Sequence, residues 1–396
     1  VLGQETLRLV WAEMRDIVLP SEVSRAPGKA GAPGQGSLSA DEWRTFCTVN
    51  LVITLGWAWG SLPSDRRERK LLDNFMNLVT VVKLATARSV TSRSLWEIQT
   101  NMHQYLKQLL VLFPGTSVSP YQHMCLGHLA TVFETLGPAP AIWCFVFERA
   151  NFILQRIKTN SRIDDLSATL LNRFCTRQNL RALFSRLALP QMLRGIIPTF
   201  VKTFESDIRG TLNSILSESL NPEANENVEG DEDDTRRVHK LYTLTQEVFD
   251  ALRTRLDQPS RRAIPLKVME LRGARYKPMA AAQHDSIVVF RRNDDADWQA
   301  GCIRELFKQE GALAGDSDQW TTWLIVDVYK PLTSQHEERD PYRNFPIAGG
   351  RLFYSEFLPK PVALVAEEII CHAALMRRIL PTTDVECVHV LPLDKV

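Results

Sequence analysis

Residues 141–154 read AIWCFVFERANFIL, an apolar run with one carboxylate, Glu148, at its centre. An ionised carboxylate buried without a partner is costly, so this residue calls for a cation, a metal or a raised pKa. Upstream stand two candidate metal ligands, His123 and His128. Five residue steps of an uninterrupted helix set them about 140° apart, so they converge on one ion only if the helix is distorted, for which Pro120 gives an opening. Tetrahedral zinc takes four donors, and the chain has no C-x-x-C pair to complete such a set. The alternative is two structural histidines. For Glu148 it is a hydrogen-bonded carboxylate in a bundle core, paired with an arginine of another helix.

Two further groups have chemistry to offer. Arg149, Arg156, Lys158 and Arg162 follow Glu148, with Arg173, Arg177, Arg181 and Arg186 beyond them. Such a series suits phosphate contacts with salt-dependent affinity, as in nucleic-acid binding, and suits a solvated helix surface equally well. Asp164 and Asp165 interrupt it. Near the C-terminus, Trp298, Trp323 and Tyr329 lie in strand-like runs. Exposed, they are candidate partner-binding aromatics that hold a cation over a ring face; turned inward, they are barrel core.

The elements that must position these residues fall into two styles. Residues 26–37, APGKAGAPGQGS, form a Gly/Pro loop. From Ser39 the chain reads as helices, opening on a capping box of Ser39 with Glu42. LLDNFMNLVTVVKLATARS has a helical period, although its valines leave a strand open. SPYQHMCLGHLATVFETLGP is delimited as one helix by Ser119, Pro120 and Gly137-Pro138, and a second is expected from Pro140 to about Lys158. Residues 222–237 carry seven acidic side chains and read as a disordered linker. One more helix is expected over 238–256, and extended basic chain over 257–280. From His284 short β-branched and aromatic runs separated by turn residues predict a small antiparallel sheet or barrel.

The expected fold class is therefore α+β, an N-terminal helical bundle followed by a small all-β barrel-like domain. The segments are 1–37 (N-terminal segment and loop), 38–221 (mainly helical), 222–237 (linker), 238–280 (helix and connector) and 281–396 (β domain). At 396 residues the chain has room for two or three domains. A hydrophobic fraction of 44% with 23% charged residues is that of a globular protein, and a net charge of +1 gives no global attraction to DNA or membranes. Seven scattered cysteines suit a reducing compartment. No run has the length of a membrane span and the first residues do not read as a signal peptide. The start at Val1 suggests a piece of a longer product. G-x-S-x-G, H-E-x-x-H and phosphate-loop motifs are absent, which disfavours a stand-alone hydrolase.

His123-x4-His128, then Gly137-Pro138, Trp143, Phe147-Glu148-Arg149 and the Lys158-Thr159-Asn160 triplet, resembles the C-terminal part of CACTA-class transposases of fungal mobile elements. The resemblance spans about residues 38–186 and 283–396, with Val146 standing where the family has a proline. It implies a ribonuclease-H-like DDE enzyme in which Glu148 is the third metal-binding carboxylate, and His123 and His128 are half of a zinc site. Mg²⁺ and Zn²⁺ would be the cofactors, DNA the substrate and the nucleus the location. The two earlier aspartates and a C-x-x-C pair would lie upstream, so the chain by itself is expected to be catalytically incomplete. The tail is similar to the bromo-adjacent homology (BAH) module of chromatin proteins through Ile287, Trp298, Gly301, Phe307, Trp323, Tyr329, Phe353, Glu356 and Cys371. That implies a histone or other chromatin partner for residues 281–396, and leaves a non-enzymatic interaction module as the rival reading.

Overall fold

The computed structural model describes residues 3–144, 162–185, 241–293, 297–310 and 320–393, with isolated positions among 147–159 and at 295. Two compact units divide the chain: residues 1–142 with 241–396, and residues 143–240.

In the first unit helix α1 (Gln4–Glu13) leads into an irregular segment that crosses the β-structure. Helix α2 (Ala40–Thr45) starts on the expected capping box: the Glu42 amide donates to Ser39 Oγ, and the Ser39 amide donates to the Glu42 carboxylate. It widens into a π-turn over Phe46–Asn50 and continues as α3 (Leu51–Trp59). Helices α4 (Arg67–Ala85) and α5 (Ser92–Leu112) pack side by side, so the valine-rich run is helical. The helix expected over Ser119–Pro138 is two: α6 (Pro120–Gly127) and α7 (Leu129–Leu136), broken at His128, with α8 (Ala139–Ile142) after them. In the second unit the described element is α9 (Leu166–Ser185).

After residue 240 the expected single helix is a short strand, β1 (Tyr242–Thr243), and helix α10 (Gln246–Arg253). The connector that follows holds β2 (Arg262–Pro265) and a hairpin of β3 (Met269–Leu271) and β4 (Ala274–Tyr276). Then come β5 (Ile287–Phe290), β6 (Gln299–Glu310), β7 (Trp320–Pro331), a helical turn α11 (Ser334–Glu337), β8 (Arg351–Phe357), β9 (Val362–Val365), β10 (Ile369–Ile379) and β11 (Glu386–Pro392). Pairing runs β6–β5–β10–β11–β8–β7 and returns to β6, all antiparallel, so six strands close a barrel. Side chains alternate across each strand, and one set from all six fills the interior, including Ile287, Ala300, Tyr329, Phe353, Ala373 and Val388. The mixed helical and sheet architecture is α+β.

The helices before residue 142 and the barrel share a core, which departs from the expected separation of a helical domain from a β domain. Val10, Ile17, Val52, Ile53, Leu72 and Met76 pack with Ala374, Met376 and Leu391 of the barrel wall. Within this apolar layer Arg378 of β10 makes a two-pronged ion pair with Glu13 of α1 at 2.6 and 2.8 Å, and Thr54 donates to the same carboxylate. Lys83 of α4 reaches the carbonyls of Ile347 and Pro392. The Tyr342 hydroxyl donates to the Ile53 carbonyl, and a Cβ at Gly56 would collide with the Tyr342 ring, so glycine is what lets α3 approach.

His389 lies in the same layer, fully buried and stacked on Tyr342 with ring centroids 3.7 Å apart. Burial lowers its pKa to about 3, aided by the nearby Arg378 and Lys83 charges and opposed by its bond to the Gly349 carbonyl. The neutral ring donates from Nε2 to that carbonyl at 2.6 Å. A folded-state pKa below the unfolded value of about 6.5 means that the unfolded chain takes up the proton first. Stability from a neutral His389 is thus present above about pH 6.5 and is lost as pH falls towards 3. In His389→Phe the stacking remains, and the urea midpoint should fall less steeply over that window than in the native chain. Parallel midpoint curves would contradict this role.

Candidate functional site

The break at His128 answers the geometric question raised by the histidine spacing. Helix α6 begins with Ser119 accepting from the Gln122 amide and Pro120 in the first turn. It ends at His128, whose φ of −128° and ψ of −21° leave the helical range, and α7 restarts with Phe133 buried against Ile98, Met102 and Leu106 of α5. The kink brings the two imidazoles together: their centroids are 5.7 Å apart in an edge-to-face arrangement, and both residues are exposed. Two neighbouring imidazoles are two of the donor groups that a zinc ion takes, at Zn–N distances of about 2.0–2.1 Å. Among the described residues no group of three or more His, Cys, Asp and Glu side chains is placed to hold a metal.

Glu148, Arg149 and Arg156 lie outside the described residues. Lys158 and Arg162 are exposed, in the unit spanning Trp143–Lys240.

The three aromatic candidates are not brought together on a surface. Trp323 is wholly buried with Phe307, Ile325 and Val248 beneath α10, and Tyr329 is inside the barrel with its hydroxyl 3.3 Å from Cys302 Sγ. Both are core residues, a correction to their assignment as partner-binding side chains. Register explains it: Trp323 pairs with Phe307 across β6–β7, and Tyr329 shares the inward face with Cys302. Trp298 is half-buried at the barrel rim, tilted on Phe353 and covered by the Arg351 guanidinium 4.6 Å from its ring. Arg351 is itself tied to Asp297.

Other charged groups in this unit are mostly committed to structure. Asp285 is fully buried; burial raises its pKa, but Lys277 and the Ser21 amide outweigh that and hold the carboxyl below its ordinary range. His372, left as structural in the sequence reading, is buried on Tyr276 with its ring nitrogens facing the Ile287 and Arg275 carbonyls. Trp57 and Arg378 line a cleft of about 420 Å³ beside the shared core. Nothing in their local sequence marks them, because strand pairing and α3 packing bring them together.

No protein-family model, curated protein or solved structure matches the chain. No helix among the described residues is long and apolar enough to cross a membrane.

Proposed function

We propose that the chain is the C-terminal portion of a CACTA-type DDE transposase, with DNA as its partner, the nucleus as its location and a BAH-like barrel joined to its helical part. The observation that carries this reading is the convergence of His123 and His128 at a helix break, where an uninterrupted helix would separate them. The same order of motifs, a histidine pair followed by Gly137-Pro138 and Phe147-Glu148-Arg149, supports it.

In this reading the imidazoles hold half of a structural zinc site whose remaining donors come from the preceding part of the product. Glu148 is the third carboxylate of a catalytic set whose Mg²⁺ ions stabilise the attacking and leaving oxygens of strand cleavage. Arg149, Arg156, Lys158 and Arg162 contact phosphates. The chain alone, with one of the three carboxylates, does not cleave.

Zinc competition against a chelating indicator tests the histidine pair in the chain itself. His123→Ala with His128→Ala should weaken zinc binding at least about tenfold, the lower end expected for changes around a metal site. Equal affinity for native and variant chains would remove the observation on which the reading rests.

The rival, a non-enzymatic chromatin module, retains the closed barrel and Trp298 in its favour. It would gain from a nucleosome pull-down that Trp298→Ala abolishes, and lose from one that this variant leaves intact.

A further inference from the structure

A groove lies between α2, with its π-turn, and α4, outside everything the transposase reading uses. Ala40, Trp43, Arg44 and Cys47 recur at the three- and four-residue spacing of one helix face. Phe75, Leu78 and Val82 do the same on α4, so the two rows face each other across the groove. Val79, at its base, belongs to the shared core. Phe75, Leu78 and Val82 are half-buried and Trp43 is 49% exposed, which leaves this apolar lining open to an incoming molecule. Its polar atoms are committed or neutral: the Thr48 hydroxyl donates to the Arg44 carbonyl at 2.7 Å, and burial pushes the Cys47 thiol up, so it stays un-ionised. One charge stands at the edge. The Arg44 side chain is half-buried, no ion pair among the described residues takes up its guanidinium, and the two acids of α2, Asp41 and Glu42, do not line the groove.

We propose that this groove binds a free medium-chain carboxylate, its alkyl chain laid between Trp43 and Leu78 and its head group on the Arg44 guanidinium. The volume of about 290 Å³ is at the lower end for small-ligand sites. At roughly 30 Å³ per carbon, the share a water has in the liquid, it holds a chain of about ten carbons. An alkyl chain asks for no hydrogen bonds, and the lining inside the rim offers none. A peptide laid there would bring backbone amides and carbonyls that lose water without finding partners. The planar guanidinium selects a carboxylate over a neutral or cationic head group. A bilayer surface is a poorer match, because helices that lie on membranes carry many basic residues, whereas α2 carries Arg44 alone beside two acids. The inference goes beyond the transposase reading and does not rest on it.

The test is titration calorimetry of the whole chain with hexanoate, octanoate, decanoate and dodecanoate below their micellar concentrations, and with octanol. Affinity should rise about fourfold per added methylene, the effect of burying one CH₂, and level off once decanoate fills the groove. Octanoate should bind about fivefold more tightly than octanol, the effect of a partly exposed ion pair. Arg44→Gln should remove that difference while keeping the dependence on chain length. Leu78→Trp, which puts an indole into the groove, should abolish uptake. Thermal melts establish that each variant is folded, and Arg44→Gln, changed at the rim, keeps the test open if the tryptophan variant does not fold. No measurable uptake by the native chain, equal affinity for octanoate and octanol, or native affinity in a folded Leu78→Trp chain would overturn the proposal. So would gains that continue undiminished to dodecanoate, or binding to anionic vesicles without uptake of free octanoate. Zinc competition and Glu148-dependent cleavage, which test the transposase reading, change none of these outcomes.

Discussion

Glu13→Ala should lower the unfolding free energy by about 3–5 kcal/mol, measured by urea denaturation, because it leaves the Arg378 guanidinium buried without its counter-charge. The Arg378 and Glu13 side chains are 7% and 12% exposed, so water cannot replace the lost partner. Thr54 loses its acceptor in the same change. Replacing both, as Glu13→Leu with Arg378→Met, should recover most of the loss, since an apolar pair of similar volume removes the cost of desolvating two ions. A loss below about 1 kcal/mol in Glu13→Ala would mean that the pair behaves as a surface ion pair and does not bind helix to barrel.

The second large effect concerns the barrel alone. A fragment of residues 281–396 should fail to fold cooperatively, judged by near-ultraviolet circular dichroism and by protease resistance. It would lose β2, which pairs with the β6 edge, and α10, which covers Phe307 and Trp323. It would also expose Ala374, Met376 and Leu391, whose burial rests on α1, α3 and α4. Each large apolar side chain returned to water forfeits about 1.5–3 kcal/mol against a net domain stability of about 5–15 kcal/mol. A well-dispersed, cooperatively melting fragment would show that the barrel is self-sufficient.

These expectations bear on what was legible in the sequence. Local chemistry was readable. The Ser39–Glu42 capping box, the Ser119–Pro120 start of α6, and β5 to β8 from their β-branched runs all lie close to where their residues place them. Features set by distant contacts were not. The end of α6 at His128 has no proline, and the restart of α7 goes with Phe133 packing on α5. The barrel was expected to stand apart because the composition changes near His284, yet Glu13 and Arg378, 365 residues apart, meet in one core. Trp323 and Tyr329 were ambiguous because strand alternation gives two faces but does not say which is inward; pairing register decides it. Residues 26–37 read as a Gly/Pro loop, but nothing local shows that Trp11 donates to the Ala30 carbonyl within it or that Val18 bridges to Leu375 of the barrel.

The most direct test of the proposed transposase reading is strand cleavage of a DNA substrate in Mg²⁺ by a longer product carrying the two further carboxylates that this reading requires, with Glu148 native or changed to glutamine. The reading predicts that Glu148→Gln abolishes cleavage while DNA binding, measured by gel shift, persists. Cleavage by the glutamine variant at the native rate would contradict it.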